Sequence, residues 1–161
     1  TSMALIHEQL YQSKDLSNID FGIYIRKLVD SLMQSYSQNS RRIRTDIESN
    51  SIFLGIDVAI PCGLIINELV SNSLKYAFPA AEEGVISITT RFDNKNEIEM
   101  VIGDNGIGIP ENLDFRNTKT FGLQLITGLV GHQLAGEIEI NQNEGTEFRI
   151  RFKNLSGKER I

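Results

Sequence analysis

A glutamate, two asparagines and a lysine interrupt the apolar stretch NELVSNSLKYAF, which runs from Asn67 to Phe78, and three of them, Glu68, Asn72 and Lys75, recur at helical spacing. At about 100° per residue they fall within roughly 60° of arc on one side of a helix. Ile66, Leu69, Val70, Leu74 and Ala77 take the broad remainder and can pack on a sheet. Such a stripe either faces water or lines a cleft, and the rest of the chain has to decide between the two.

GDNGIGIP supplies complementary chemistry. Ile98, Met100 and Ile102 share one face of the preceding strand by the two-residue period, and Asp104 continues that parity toward the buried side. A carboxylate there is costly unless a donor meets it. Gly106 and Gly108 follow and permit close approach. Adenine carries an amino donor where guanine carries an oxygen acceptor, so a fixed Asp104 would accept from the first and repel the second.

The dinucleotide fingerprint needs a third glycine and an immediate helix, whereas Pro110 and a polar segment follow here, and the P-loop lysine pattern is absent. That argues against the two commonest nucleotide folds and not against nucleotides. In TKTFGLQL, Gly122 stands where an irregular segment gives way to a helix whose first amides attract anions. Gly145 and Thr146 sit at the tip of the last hairpin, where glycine is also usual for the turn alone.

The elements that must position these residues are helices followed by strand pairs. A first helix covers about Ser2 to Ser13. A second carries Phe21, Ile25, Leu28, Leu32 and Tyr36 on one face, with Ser17, Asn18 and Asp20 as caps. RRIRTDIES and SIFLG read as short strands. The helix with the polar stripe is expected to be capped by Asp57, to hold Pro61 in its opening turn and to end before Pro79. GVISITTRF and EIEMVIGD form a hairpin around DNKN, a helix runs through FGLQLITGLVGHQL, and GEIEI and TEFRIRF form a second hairpin. The expected fold is α+β: a two-layer sandwich with helices on one face of a sheet, and a helical stub ahead of it.

The chain has 161 residues, with 16 Lys and Arg against 21 Asp and Glu, a net charge of -5 and scattered cations. No basic stripe is present to hold nucleic acid. A single cysteine, Cys62, excludes an internal disulfide and a cysteine-rich zinc site, and its apolar setting predicts a small core residue. No apolar run approaches the roughly 18 residues that span a bilayer, and no signal-peptide pattern opens the chain. The expectation is a cytoplasmic fragment that makes no membrane contact, cut from a larger protein that could itself be membrane-anchored.

Together the four segments resemble the catalytic, ATP-binding domain of two-component sensor histidine kinases, in the GHKL superfamily shared with DNA gyrase, the heat-shock chaperone and mismatch-repair ATPases. NELVSNSLKYA is similar to the N box, DNGIGIP to the first glycine box, TFGLQLI to the second and GTEF to the third. SMALIHEQLYQS resembles the end of the dimerisation region in the subgroup with the second type of histidine-acceptor domain. The resemblance implies a Bergerat-type fold with a mixed, mostly antiparallel sheet. Its domains would be 1–18 for the end of the acceptor region, 19–155 for the ATP-binding domain and 156–161 for a tail.

The resemblance further implies ATP and magnesium, with Asn72 as metal ligand, Lys75 and Tyr76 holding phosphates, and Asp104 on the adenine amino group. Glu68 would assist proton removal from the acceptor. Gly106 and Gly108 would shape the base pocket, while Gly122 and Thr146 would lie near the phosphates. Residues 105–119 would form a lid, with Phe115 either anchoring it or simply packing, and Lys119 reaching the γ-phosphate. An asparagine carbonyl is a fitting oxygen ligand for magnesium, and a lysine with helix-start amides can stabilise transferring phosphate. The second glycine box departs from the family pattern, because Phe121 precedes a single Gly122.

Of the two histidines, His132 is expected in a core or capping role, and His7 lacks the basic residue and proline of an acceptor motif. The acceptor histidine would therefore lie upstream, in a protein expected to form a homodimer and to pass phosphate to a response regulator. Two other readings stay open: an anti-sigma-factor-type serine kinase, and a non-catalytic nucleotide-binding module.

Overall fold

The computed structural model describes residues 8, 16–36, 42–49, 51–78, 83–93, 95–107, 121–142 and 144–153. The expected first helix, apart from a helical Glu8, lies outside the described residues. Strand β1 (Ile19–Asp20) leads directly into α1 (Phe21–Ser35), and the Asp20 carboxylate caps that helix by accepting from the Ile23 amide at 3.2 Å. Phe21, Ile25, Leu28 and Leu32 are buried along one side, as their spacing predicts.

Strands β2 (Ile43–Glu48) and β3 (Phe53–Leu54) part company: β3 pairs with β1 in a two-stranded antiparallel ribbon, whereas β2 joins the main sheet. Helix α2 (Ile56–Asn72) begins earlier than expected. Gly55, and not Asp57, is its cap; Asp57 lies in the first turn, where a carboxylate still complements the helix dipole. The start is fixed from outside, since the Ile56 amide donates to the Leu16 carbonyl at 2.8 Å. Pro61 is consequently the sixth helical residue, in the second turn and not the opening one, and α2 forgoes one backbone hydrogen bond there.

Helix α2 does not simply stop. The residues that follow it, Ser73–Ala77, form a π-helical turn that ends ahead of Pro79, and such turns recur at functional sites. Helix α3 (Phe121–Gly128) likewise passes into a π turn at Leu129–Gln133. His132 belongs to that turn and is exposed, so the expected core role is wrong; its place in the final turn is one where a basic side chain faces the helix C-terminus.

Strands β4 (Gly84–Phe92), β5 (Glu97–Asp104), β6 (Glu137–Asn141) and β7 (Thr146–Lys153) complete a five-stranded sheet of order β2-β4-β5-β7-β6. β2 runs parallel to β4, and the other pairings are antiparallel. Both expected hairpins form. Alternation sorts the sheet into two faces: Ile86, Ile88, Met100, Ile102, Phe148 and Ile150 are buried in one core with the helices. That core holds Cys62, fully buried as expected.

Candidate functional site

The site assembles where the C-terminal end of α2 meets the end of β5. Asp104 faces the helix layer, half-buried, and each carboxylate oxygen has a donor. Oδ2 accepts from the Ser73 hydroxyl at 2.7 Å, and Oδ1 accepts from the Gly106 amide at 3.0 Å. The inward parity read from the sequence is what the strand adopts. The donors that offset the carboxylate's desolvation come from the first residue of the π turn and from the turn after β5.

The chain leaving β5 is held against the helix end. The Ile107 amide donates at 2.9 Å to the carbonyl of Ala77, one of the helix-end acceptors left without an intrahelical partner. A Cβ on Gly106 would lie 2.2 Å from that carbonyl oxygen, so only glycine allows this approach. Asn105, marked in the sequence only as the start of the expected lid, has a side-chain oxygen that accepts from the Val85 amide at 2.8 Å and ties the turn to β4. Thr146, 6% exposed, is the cross-strand partner of Asp104 on β7.

Glu68 and Asn72 are half-buried on α2 and face the beginning of α3. A Cβ on buried Gly122 would lie 2.5 Å from Glu68 Oε2 and 3.5 Å from the Asn72 amide nitrogen. The second glycine segment is thus seated directly on the polar stripe. Lys75 and Tyr76 are exposed on the π turn, Tyr76 to 70%. Gly108, Phe115, Lys119 and His7 lie outside the described residues.

Asn72 and Asp104 therefore belong to one region: Asn72 adjoins Gly122, and its neighbour Ser73 bonds to Asp104. One side offers carboxylate and carboxamide groups beside a helix start, and the other offers a fixed acceptor beside a glycine turn. A hollow of about 380 Å³ opens at the same end of the sheet, near Ser87, Gly103, Asn141, Glu144 and Glu147, and is lined by Asp104 and Thr146 as well. It contains none of the α2 stripe, and its glutamates would repel phosphate.

Comparison with known proteins identifies the family. Residues 57–156 match the family of histidine kinase-, DNA gyrase B-, and HSP90-like ATPases, and residues 1–36 match a histidine kinase family model. The chain belongs to this ATPase family, and it is an ATP-binding domain of the sensor histidine kinase type. It is 28% identical over 158 residues to the sensor histidine kinase PdtaS of Mycobacterium tuberculosis, covering 94% of this chain and 30% of that protein. It is 22% identical over 141 residues to blue-light-activated histidine kinase 2 of Erythrobacter litoralis, covering 83% and 40%. The chain thus spans less than half the length of these relatives.

Among solved structures, the histidine kinase domain of a blue-light activated kinase from Erythrobacter litoralis superposes with a TM-score of 0.85 at 21% identity, covering 99% of this chain and 81% of that one. The histidine kinase AdeS of Acinetobacter baumannii gives 0.63 at 18% identity, covering 96% and 75%. At these identities the likeness speaks for the fold. Among the described residues no helix is long and apolar enough to cross a membrane.

Proposed function

We propose that this chain is the kinase domain through which a sensor protein moves the γ-phosphate of ATP to an acceptor histidine upstream, for relay to a response-regulator aspartate. The whole protein would act as a cytoplasmically facing homodimer, with 1–18 ending the acceptor region, 19–155 binding ATP and 156–161 as a tail. The observation that carries the reading is the hydrogen bond from Ser73, the residue after Asn72, to Asp104, which joins the end of α2 to the end of β5.

Asp104 is the acceptor for the adenine amino group, and Gly106 with Gly108 shapes the base pocket. The Asn72 carboxamide suits a hard cation shared with phosphate oxygens, since it supplies an oxygen ligand at a half-buried position beside a helix start. Magnesium bound there would neutralise charge on the transferring phosphoryl group. Lys75, Tyr76 and Lys119 hold phosphates, Gly122 and Thr146 lie alongside them, and Glu68 assists proton removal from the acceptor.

The test supplies this chain with its upstream helical region and γ-labelled ATP. Acid-labile label on histidine is the expected outcome. Label on the serine of a protein partner would replace this reading with a serine kinase, and no label at all with a non-catalytic module.

A further inference from the structure

Helical serines and threonines commonly return their hydroxyl proton to the carbonyl one turn back. Ser35 does so, donating to Ser31 at 3.1 Å, and Thr127 does so, donating to Leu123 at 2.9 Å. Ser73 does not. Its hydroxyl crosses from the helix layer to the sheet and donates to Asp104 Oδ2 at 2.7 Å, with the residue only 9% exposed. It is the first residue of the π turn that follows α2.

We propose that Ser73 is a specificity-determining positioning residue for the nucleotide base, an inference that rests on the reading of Asp104 as the base acceptor. Two donors, one on each oxygen, fix the Asp104 carboxylate against rotation. Because the Ser73 proton is committed to Asp104, the hydroxyl presents only lone pairs to its surroundings. Ser73 and Asp104 therefore form a surface that accepts and does not donate. A purine with an exocyclic amine is complementary to such a surface, and one with an oxo group at the same place meets repulsion and an unpaired acceptor. Without the serine the carboxylate is held by the Gly106 amide alone and can turn out of register.

The experiment measures binding of three nucleotides to the 161-residue chain by calorimetry: ATP, GTP, and the triphosphate of unsubstituted purine riboside, which lacks the amine. Ser73→Ala is expected to weaken ATP by about tenfold, the size of one hydrogen bond to a charged group. Purine riboside triphosphate should stay within about twofold of wild type, so that the preference for the amine collapses. Ser73→Thr, which keeps the hydroxyl, should restore most of that preference. Asp104→Asn serves as the control on the underlying reading. If Asp104→Asn binds ATP like wild type, the site itself has been misread. If it loses ATP while Ser73→Ala does not, or if Ser73→Ala weakens all three nucleotides equally, the role given to Ser73 is overturned.

Discussion

Strand β5 carries two inward-held carboxylates, Glu99 and Asp104, on opposite faces of the sheet, and their surroundings could hardly differ more. Glu99, 4% exposed, lies on the face away from the helices. It accepts from Arg91 Nη2 at 2.8 Å and Nε at 3.1 Å, from Arg151 Nε at 3.0 Å and from Arg149 Nη1 at 3.3 Å. Register makes this possible, because Arg91 and Arg151 are its direct cross-strand partners. Asp104 receives only neutral donors, and among the described residues no cation pairs with it. A carboxylate whose lone pairs are filled by arginines is a structural clamp. One that is oriented but not neutralised keeps its charge for a ligand.

The sharpest way to break this comparison is to exchange the readouts. Asp104→Asn keeps the shape but loses the acceptor charge and converts one oxygen into a donor, so ATP affinity should fall by about ten- to a hundredfold. The urea midpoint should hardly move. Glu99→Ala should do the reverse, lowering unfolding free energy by about 2 kcal/mol while ATP affinity stays within about twofold. The figure is set below that of an enclosed ion pair because the arginine side chains are 33% to 64% exposed and screened by solvent. Equal losses of ATP affinity in both variants would erase the distinction.

Acid titration of stability sharpens the same contrast with a smaller effect. Burial by itself would raise the Glu99 pKa, but hydrogen bonds from Arg151 and Arg91 and the charge of Arg149 outweigh it, and the net shift is downward. The folded-state value lies below the unfolded one. Stabilisation by Glu99 is therefore full above the ordinary glutamate range and lost as pH falls through the lowered value. Stability of wild type relative to Glu99→Gln should accordingly be greatest near neutrality and shrink on acidification. Asp93, lowered by the backbone amides of Glu97 and Lys95, adds acid sensitivity of the same sign that this substitution leaves in place. A wild-type advantage that persisted unchanged into strong acid would mean that the arginine cluster does not hold the carboxylate as described.

Much of the fold was legible because it rests on local periodicity. The α1 face, both hairpins, the helix ending before Pro79 and the inward parity of Asp104 follow from steps of two, three and four residues. What escaped depends on partners distant in sequence. Gly55 displaces the better intrinsic cap Asp57 because Leu16 receives the Ile56 amide, and no propensity encodes that contact. The β1–β3 ribbon joins two short strands from either side of α1. Ser73 stood in plain sight beside Asn72, yet its partner lies 31 residues away. The π turn that carries it has no established composition signal. Glu99 looked like one more polar residue in an alternating strand until register gathered its arginines.

The smallest effect is expected at Gly122, and it tests how firmly the polar stripe of α2 is set. A Cβ there would come within 2.5 Å of Glu68 Oε2, which is the far end of a flexible side chain. At Gly106 the obstructing atom is the Ala77 carbonyl, and backbone has no such freedom. In Gly122→Ala the Glu68 carboxylate can therefore swing aside, and alanine's better helix propensity offsets part of that cost by roughly 0.5–1 kcal/mol. The thermal midpoint should stay within a few degrees of wild type, roughly what a sub-kilocalorie change gives in a domain of this size. Phosphoryl transfer in the reconstituted kinase should nevertheless slow more than ATP affinity falls, because the displaced group is the one assigned to the acceptor proton. A large drop in the melting temperature would show instead that Glu68 is clamped in place, as Glu99 is, and belongs with the structural carboxylates.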